Sequence, residues 1–130
     1  MIVVIPAKNE PALLKSLESL RKASQPKGSV EIIVVINDSE KDEELLQKSN
    51  ARLFAKATKW ATANSTAVKK FRLLYHSGLG AKHAGVGLAR KIGMDEPLYR
   101  FAQIENEAGL IVGFDADTLC QRNYFKAIEQ

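Results

Sequence analysis

The 130-residue chain has little of several residue types, and each shortage excludes a class of protein. Cys120 is the one cysteine, so neither an internal disulfide nor a cysteine-rich zinc site is expected. Four prolines and eight glycines are too few for a fibrous or disordered chain. The apolar run from Ile2 to Ile5 is too short for a signal peptide or a membrane span. We therefore expect a single globular domain over residues 1–130, located in the cytoplasm.

Acidic residues are missing from the middle of the chain. Between Leu45 and Met94 there is no Asp or Glu, whereas basic residues are frequent there: Lys48, Arg52, Lys56, Lys59, Lys69, Lys70, Arg72, Lys82, Arg90 and Lys91. Such a positive field suits a nucleotide diphosphate, an anionic membrane surface or a nucleic acid, and a solvated helix face explains most of it more simply. No aromatic residues alternate with the basic ones, so we expect no nucleic-acid partner. Peripheral contact with a membrane stays open.

Four apolar runs alternate with helical patterns along the chain. The runs extend from Ile2 to Ile5, Glu31 to Ile36, Phe71 to Tyr75 and Leu110 to Phe114. Their continuous apolar character is typical of strands that are buried on both faces of a parallel sheet. The alternation predicts a three-layer α/β fold, with a mostly parallel sheet and helices on both faces.

Capping residues and apolar periodicity give approximate limits for the helices. Asn9 as N-cap and Pro11 as first helical residue predict a first helix with a leucine stripe from Leu13 to Leu20. Further helices are predicted at about 42–64, at about 82–92, after residue 95, and at 124–129. The apolar stripe of the second helix is predicted to comprise Leu45, Leu46, Leu53, Phe54, Ala57 and Trp60.

Polar or small residues follow each predicted strand, at Pro6 to Glu10, Asn37 to Asp42, Ser77 to Lys82 and Asp115 to Asp117. Ligands of open α/β sheets bind beyond the carboxyl ends of the strands. We therefore expect the functional site at this edge of the sheet.

Asp115 and Asp117 leave the last predicted strand two residues apart, so their carboxylates emerge together. Mg²⁺ or Mn²⁺ typically takes one or two protein carboxylates and completes its coordination with phosphate oxygens and water. The pair therefore predicts a site for a metal diphosphate. An Asp pair at a strand end can instead cap the following turn.

Four segments occur in an informative order: VVIPAKNE at Val3 to Glu10, EIIVVINDS at Glu31 to Ser39, GLARKIG at Gly87 to Gly93, and GLIVGFDAD at Gly109 to Asp117. Together they resemble the successive blocks of family 2 glycosyltransferases, which have the GT-A fold. The match extends over nearly the whole chain, and four blocks in order are a stronger signal than any one of them. The resemblance implies a donor-binding domain that takes a UDP- or GDP-linked diphospho-sugar with Mn²⁺ or Mg²⁺, for transfer of a hexosyl group to an acceptor hydroxyl.

The same resemblance implies roles for particular residues. Asp38 would hydrogen-bond the base, Arg90 would contact the base or the diphosphate, and Asp117 would coordinate the metal, with Asp115 close to it at the ribose. Simpler roles stay open, since Asn9 can cap a helix, Asp38 can form a turn and Arg90 can be a surface charge. The donor-binding set is then Pro6, Ala7, Asn9, Glu10, Asp38, Lys82, Arg90, Asp115, Ala116 and Asp117, with Asp115 and Asp117 at the metal.

Lys82 belongs to a glycine-containing segment, Ser77 to His83. Its glycines would let backbone amides approach a phosphate, with the Lys82 or His83 side chain nearby. A flexible connection between two elements explains the segment equally well. The neighbourhood of Asp38 departs from the family pattern, because no glycine follows it where the family often has one.

No catalytic residue is expected within the chain. In inverting members of the family, the carboxylate that takes the acceptor proton follows well after the metal motif, and only Thr118 to Gln130 follow it here. The resemblance thus implies a domain shorter than a full glycosyltransferase, and apolar surface left uncovered would favour self-association. Two other functions stay open. The chain could be a non-catalytic module that binds a nucleotide sugar. It could also be a haloacid-dehalogenase-type phosphatase, because the segment from Phe114 to Leu119 resembles the nucleophile motif of those enzymes.

Overall fold

The computed structural model of the chain describes residues 1–39, 44–79 and 111–129. All four predicted strands are present, and the last helix has the predicted limits. The predicted helices at about 82–92 and after residue 95 lie outside the described residues. In chain order, the elements are β1 (Ile2–Ala7), α1 (Leu13–Lys22), β2 (Val30–Ser39), α2 (Glu44–Asn64), β3 (Lys69–Leu79), β4 (Ile111–Gly113) and α3 (Tyr124–Glu129).

The four strands form one parallel sheet in the order β3-β2-β1-β4. Along the chain, β1, β2 and β3 follow one another across the sheet, and β4 then pairs on the opposite side of β1. The direction of strand addition therefore reverses at β1. In open α/β sheets, such a reversal leaves a crevice at the carboxyl ends of the two strands that flank it.

Both faces of the sheet are buried, as the uninterrupted apolar strands predicted. On the first face, Val3 and Ile5 of β1 join a core that includes Leu17 of α1, Ala57 of α2 and Phe125 of α3. The second face has a smaller buried cluster of Ile2, Val4, Ile33 and Val35, to which no described helix contributes. Full burial of each such side chain stabilises the fold by about 1.5–3 kcal/mol. The predicted α/β class with a parallel sheet flanked by helices is confirmed.

The predicted first helical residue of α1, Pro11, is two residues too early. The helix begins at Leu13, and its N-cap position is Ala12, not Asn9. Asn9 has a left-handed backbone with a φ of 48°, which ends the strand instead of starting the helix. The Glu10 carboxylate accepts a hydrogen bond from the Ala12 N–H at 3.0 Å, so an acidic side chain satisfies one of the unpaired amides of the first turn.

The apolar stripe predicted for α2 is only partly right. Trp60 and Phe54 face the sheet, where their rings meet Phe71 and Tyr75 edge to face at 4.7 and 5.2 Å between centroids. Leu45, in contrast, is 72% exposed. A polar residue of α2, Asn50, is fully buried instead. None of the described helices is long and apolar enough to cross a membrane.

Lys69, at the start of β3, is not one of the solvated lysines of the basic segment. Its side chain is buried, and the ammonium donates to the carbonyls of Leu20, Arg21 and Ala23 at 3.1, 3.1 and 2.6 Å. These carbonyls belong to the last turn of α1, where the helix leaves acceptors unpaired and carries partial negative charge. Burial lowers the pKa of Lys69 from its ordinary value. The ammonium also lies 5.2 Å from the centre of the Phe125 ring.

Candidate functional site

The carboxyl ends of β1 and β4 lie next to each other in the sheet. The register runs from Ile2 opposite Ile111 to Val4 opposite Gly113, and the Phe114 N–H extends the pairing with a 3.0 Å hydrogen bond to the Val4 carbonyl. The residues that follow each strand therefore emerge at one edge of the sheet. This edge is where the strand order reverses, and the two segments that the sequence singled out follow the two strands at that reversal.

The segment after β4 alternates between buried and exposed side chains. Phe114 and Ala116 are buried, with 6% and 8% of their surface exposed, whereas Asp115 and Asp117 are exposed. The Thr118 N–H closes a turn on the Asp115 carbonyl at 3.1 Å. The two apolar side chains thus anchor this acidic loop, residues 115–117, while Asp115 and Asp117 are exposed beyond the strand end.

The Phe114 anchor packs against α3. Its ring meets Tyr124 edge to face, with 5.5 Å between the centroids. Burial raises the pKa of Tyr124, and Cys120 adds to the effect, so the phenol stays protonated at neutral pH. Tyr124 therefore contributes packing beside the acidic loop and no negative charge.

Two serines of α1 fix the backbone of the acidic loop and the segment after it. The buried Ser16 hydroxyl donates to the Ala116 carbonyl at 2.6 Å. The Ser19 hydroxyl accepts a 3.1 Å hydrogen bond from the Cys120 N–H and donates to the Ser16 carbonyl at 2.7 Å. Ala116 is thus held between the two aspartates by its carbonyl and its buried methyl group.

The segment after β1 is held in place from α2. The Asn9 N–H donates to the side-chain oxygen of the buried Asn50 at 2.5 Å, which links residues 41 positions apart. Pro6 and Ala7 are buried within β1, where they pair with Val35 and Ile36 of β2. Asn9 is exposed and Glu10 is partly exposed. The side chains that reach solvent at this edge therefore belong to residues after the end of β1.

The other predicted site residues are only partly described. The Asp38 backbone lies in the last part of β2, and its side chain is outside the described structure. Lys82 and Arg90 lie outside the described residues. Of the predicted donor-binding set, the fold therefore brings together the β1 segment, Pro6 to Glu10, and the acidic loop, Asp115 to Asp117.

The acidic loop has the chemistry of a site for a hard divalent cation. Two exposed carboxylates, Asp115 and Asp117, come from one short turn whose backbone is fixed at Ala116. Residues 1–39, 44–79 and 111–129 contain no group of three or more side chains that would enclose a metal. A pair of carboxylates fits Mg²⁺ or Mn²⁺ when phosphate oxygens and water supply the remaining ligands. The residues present therefore fit a metal bound together with a phosphate-containing ligand.

Comparison with known proteins identifies the family. A family model described as glycosyl transferase family 2 matches residues 2–72, more than half of the chain. The chain belongs to glycosyl transferase family 2. The matched residues contain the β1 segment, β2 and its carboxyl end, α1 and α2. No curated protein matches the chain significantly.

A solved structure, that of residues 1–349 of TarS from S. aureus, shares the fold of this family 2 chain with a TM-score of 0.60 and 19% sequence identity. The alignment covers 98% of this chain and 30% of the TarS chain, so the present chain spans less than a third of the length of that chain. At this identity the likeness supports the fold alone. It agrees with the predicted GT-A type of α/β fold.

Sequence reasoning missed the residues that support the site, although two patterns pointed to them. Ser16 falls on the same helical stripe as Leu13, Leu17 and Leu20, at spacings of three and four residues. Asn50 likewise precedes the buried Ala57 by seven residues on α2. A polar residue on an apolar stripe is expected to be buried with a partner, and here each partner is the backbone of a site loop.

We expect Ser16→Ala to weaken metal-dependent ligand binding at the acidic loop about tenfold, because the Ala116 carbonyl loses its buried donor and the turn gains freedom. The free energy of unfolding should fall by about 1–2 kcal/mol. Urea denaturation and Mn²⁺ binding followed by electron paramagnetic resonance measure the two effects. Ser24→Ala, at an exposed serine, is the control. Unchanged Mn²⁺ affinity in Ser16→Ala would show that the hydroxyl serves stability alone.

Proposed function

We propose that the chain binds a nucleotide-diphospho-sugar at the carboxyl edge of its sheet and presents the sugar for transfer to an acceptor hydroxyl. The observation that carries the proposal is the reversal of strand order at β1. It sets the exposed carboxylates of the acidic loop beside the segment after β1, at the edge where open α/β sheets bind their ligands. Membership of glycosyl transferase family 2 supplies the reaction class.

In this proposal the donor is held by three groups of residues. Asp117 and Asp115 hold a divalent cation between the protein and the diphosphate, with Asp115 also near the ribose. The segment from Pro6 to Glu10 borders the nucleoside, and Asp38, at the carboxyl end of β2, accepts a hydrogen bond from the base. Arg90 is proposed to contact the base or the diphosphate and Lys82 a phosphate, which agrees with the excess of positive charge between Leu45 and Met94.

A bound Mg²⁺ or Mn²⁺ would neutralise charge on the diphosphate and so make it a better leaving group. The protein's own part is geometric. Ser16 and Asn50 fix the two loops from the buried side, so the groups that meet the donor are ordered before it binds. The group that takes the proton from the acceptor hydroxyl is not among the residues assigned here.

This family assignment favours a glycosyltransferase over the phosphatase alternative. The family match lies in residues 2–72, which do not include the aspartate motif. The motif itself follows the last strand of the described sheet, whereas in haloacid-dehalogenase-type phosphatases it opens the fold. The second alternative is a module that binds the donor without transferring the sugar. It shares the binding step with the proposal, so only an assay of sugar transfer distinguishes the two.

Calorimetric titration with UDP and then GDP, each with and without Mn²⁺, tests the proposal. We expect one saturable site for one of the two nucleotides, with an affinity that falls at least about tenfold when the metal is removed by a chelator. Uridine and guanosine, which lack the diphosphate, serve as controls that should show no metal dependence. If the folded chain binds neither diphosphate, or binds one equally well without metal, the proposed donor site is wrong.

A further inference from the structure

A groove adjoins the β1 segment, between that segment and the outward side of α2. It has a volume of about 820 Å³. Its lining includes aliphatic side chains, of which Leu14 and Leu53 are partly buried, together with exposed cations and the polar or acidic side chains of Asn9, Ser49 and Glu10. The residues of this basic groove that matter here are Pro11, Leu14 and Leu53 on the apolar part and Arg52, Lys56 and Lys59 on the cationic part.

The cations of the groove continue along one side of α2. Lys48, Arg52, Lys56 and Lys59 follow one another at spacings of four, four and three residues, so they share one side of the helix over about 16 Å. The one acidic residue of α2 is Glu44, and it pairs with Lys48 at 3.1 Å. Glu10 also lines the groove, with its carboxylate bonded to the Ala12 N–H. The groove and the helix beside it are therefore strongly positive.

An exposed apolar side chain lies on the same side of α2. Leu45 is 72% exposed and precedes Arg52 by seven residues, which is about two helical turns. The aromatic rings of the helix pack against β3, since Phe54 packs on Tyr75 and Trp60 packs on Phe71. This side thus offers cations and aliphatic groups but no ring on which a nucleic-acid base would stack.

We propose that the basic groove and the adjoining side of α2 dock the domain on an anionic phospholipid bilayer. A row of four cations on a helix matches the negative headgroups, and the aliphatic groups of Leu45 and the groove meet the headgroup and acyl boundary. Asn9 and Glu10 line the groove and also belong to the β1 segment. Docking would therefore hold the carboxyl edge of the sheet close to the membrane surface, whether or not a donor is bound.

Sedimentation of the chain with lipid vesicles tests this surface without nucleotide or metal, so its result is independent of the proposed donor binding. Vesicles of phosphatidylcholine with about 30% phosphatidylglycerol should bind the chain in about 0.1 M NaCl, and about 0.5 M NaCl should release it. Vesicles of phosphatidylcholine alone should not bind it. Each cation near an anionic surface contributes about fivefold, so Arg52→Gln, Lys56→Gln and Lys59→Gln together should lower partitioning about 100-fold.

A second triple variant controls for net charge. Lys22→Gln, Lys27→Gln and Lys126→Gln remove three exposed charges from the far end of α1, the segment after it, and α3. This control should lose no more than a few-fold. Equal losses in the two triple variants, or equal binding to neutral vesicles, would overturn the proposed surface. Preferential binding to polyglutamate or to duplex RNA at matched negative charge would assign the groove to another polyanion and overturn the membrane proposal.

Discussion

Asp117→Asn is expected to abolish metal-dependent nucleotide binding while leaving the fold intact. The change replaces a charged oxygen ligand with a neutral amide at an exposed position, so the cation loses one of the two carboxylates offered by the acidic loop. We expect the affinity for UDP or GDP in the presence of Mn²⁺ to fall at least about 100-fold. Calorimetry measures the affinity, and circular dichroism verifies that secondary structure is retained.

Glu18→Gln is the matched control, since it removes one negative charge from α1 at a residue that pairs with Arg21 and lies outside the site. Its nucleotide affinity should equal that of the unchanged chain. If Asp117→Asn binds nucleotide as tightly as Glu18→Gln, then Asp117 does not hold the metal. If both variants lose affinity equally, the loss reflects the overall charge of the domain.

Lys69→Met is expected to lower the free energy of unfolding by about 3 kcal/mol. The side chain is buried, and its three hydrogen bonds satisfy carbonyls of Leu20, Arg21 and Ala23 that methionine cannot pair. Loss of the cation also leaves the negative end of the α1 dipole without a counter-charge. The midpoint of thermal unfolding should fall by about 10 °C. Urea denaturation followed by circular dichroism gives the free energy.

The next residue in the chain provides the comparison. Lys70 is exposed and points to the other side of β3, so Lys70→Met should change the free energy of unfolding by less than about 0.5 kcal/mol. The two variants have the same composition and net charge. Equal stability of the pair would contradict the assigned role of the Lys69 ammonium at the end of α1.

The sheet could be predicted because its strands are apolar without interruption. Burial on both faces leaves no polar positions in Ile2 to Ala7, and such a run has few alternatives to a central parallel strand. The acidic loop was predictable for a related reason, since two carboxylates directly after an apolar strand must lie at a sheet edge. The sequence could not predict that the acidic loop lies next to the end of β1, because this depends on the strand order, which no local pattern determines.

The residues that escaped prediction are polar groups whose partners are distant in the sequence. Lys69 was grouped with solvated lysines, although alternation along β3 places it on the same face as the buried Phe71. Asn9 was expected to cap α1, but its backbone bonds to Asn50 and Glu10 serves the first turn instead. Leu45 was expected in the core, but it is 72% exposed on the cationic side of α2, seven residues before Arg52, because not every apolar residue of a helix belongs to its buried stripe.

The short β4 strand, at the end of the strand order, has a consequence for how the site forms. It pairs with β1 over three residues, and the Ser16 to Ala116 hydrogen bond closes a separation of 100 positions. Contacts between β1, β2 and β3 close much shorter loops, so that part of the sheet is expected to form earlier in folding. The acidic loop would then be the last part of the edge to assemble and the first to open. Amide hydrogens of Phe114 and Thr118 should exchange faster than those of β1 and β2, and a bound metal and nucleotide should slow them.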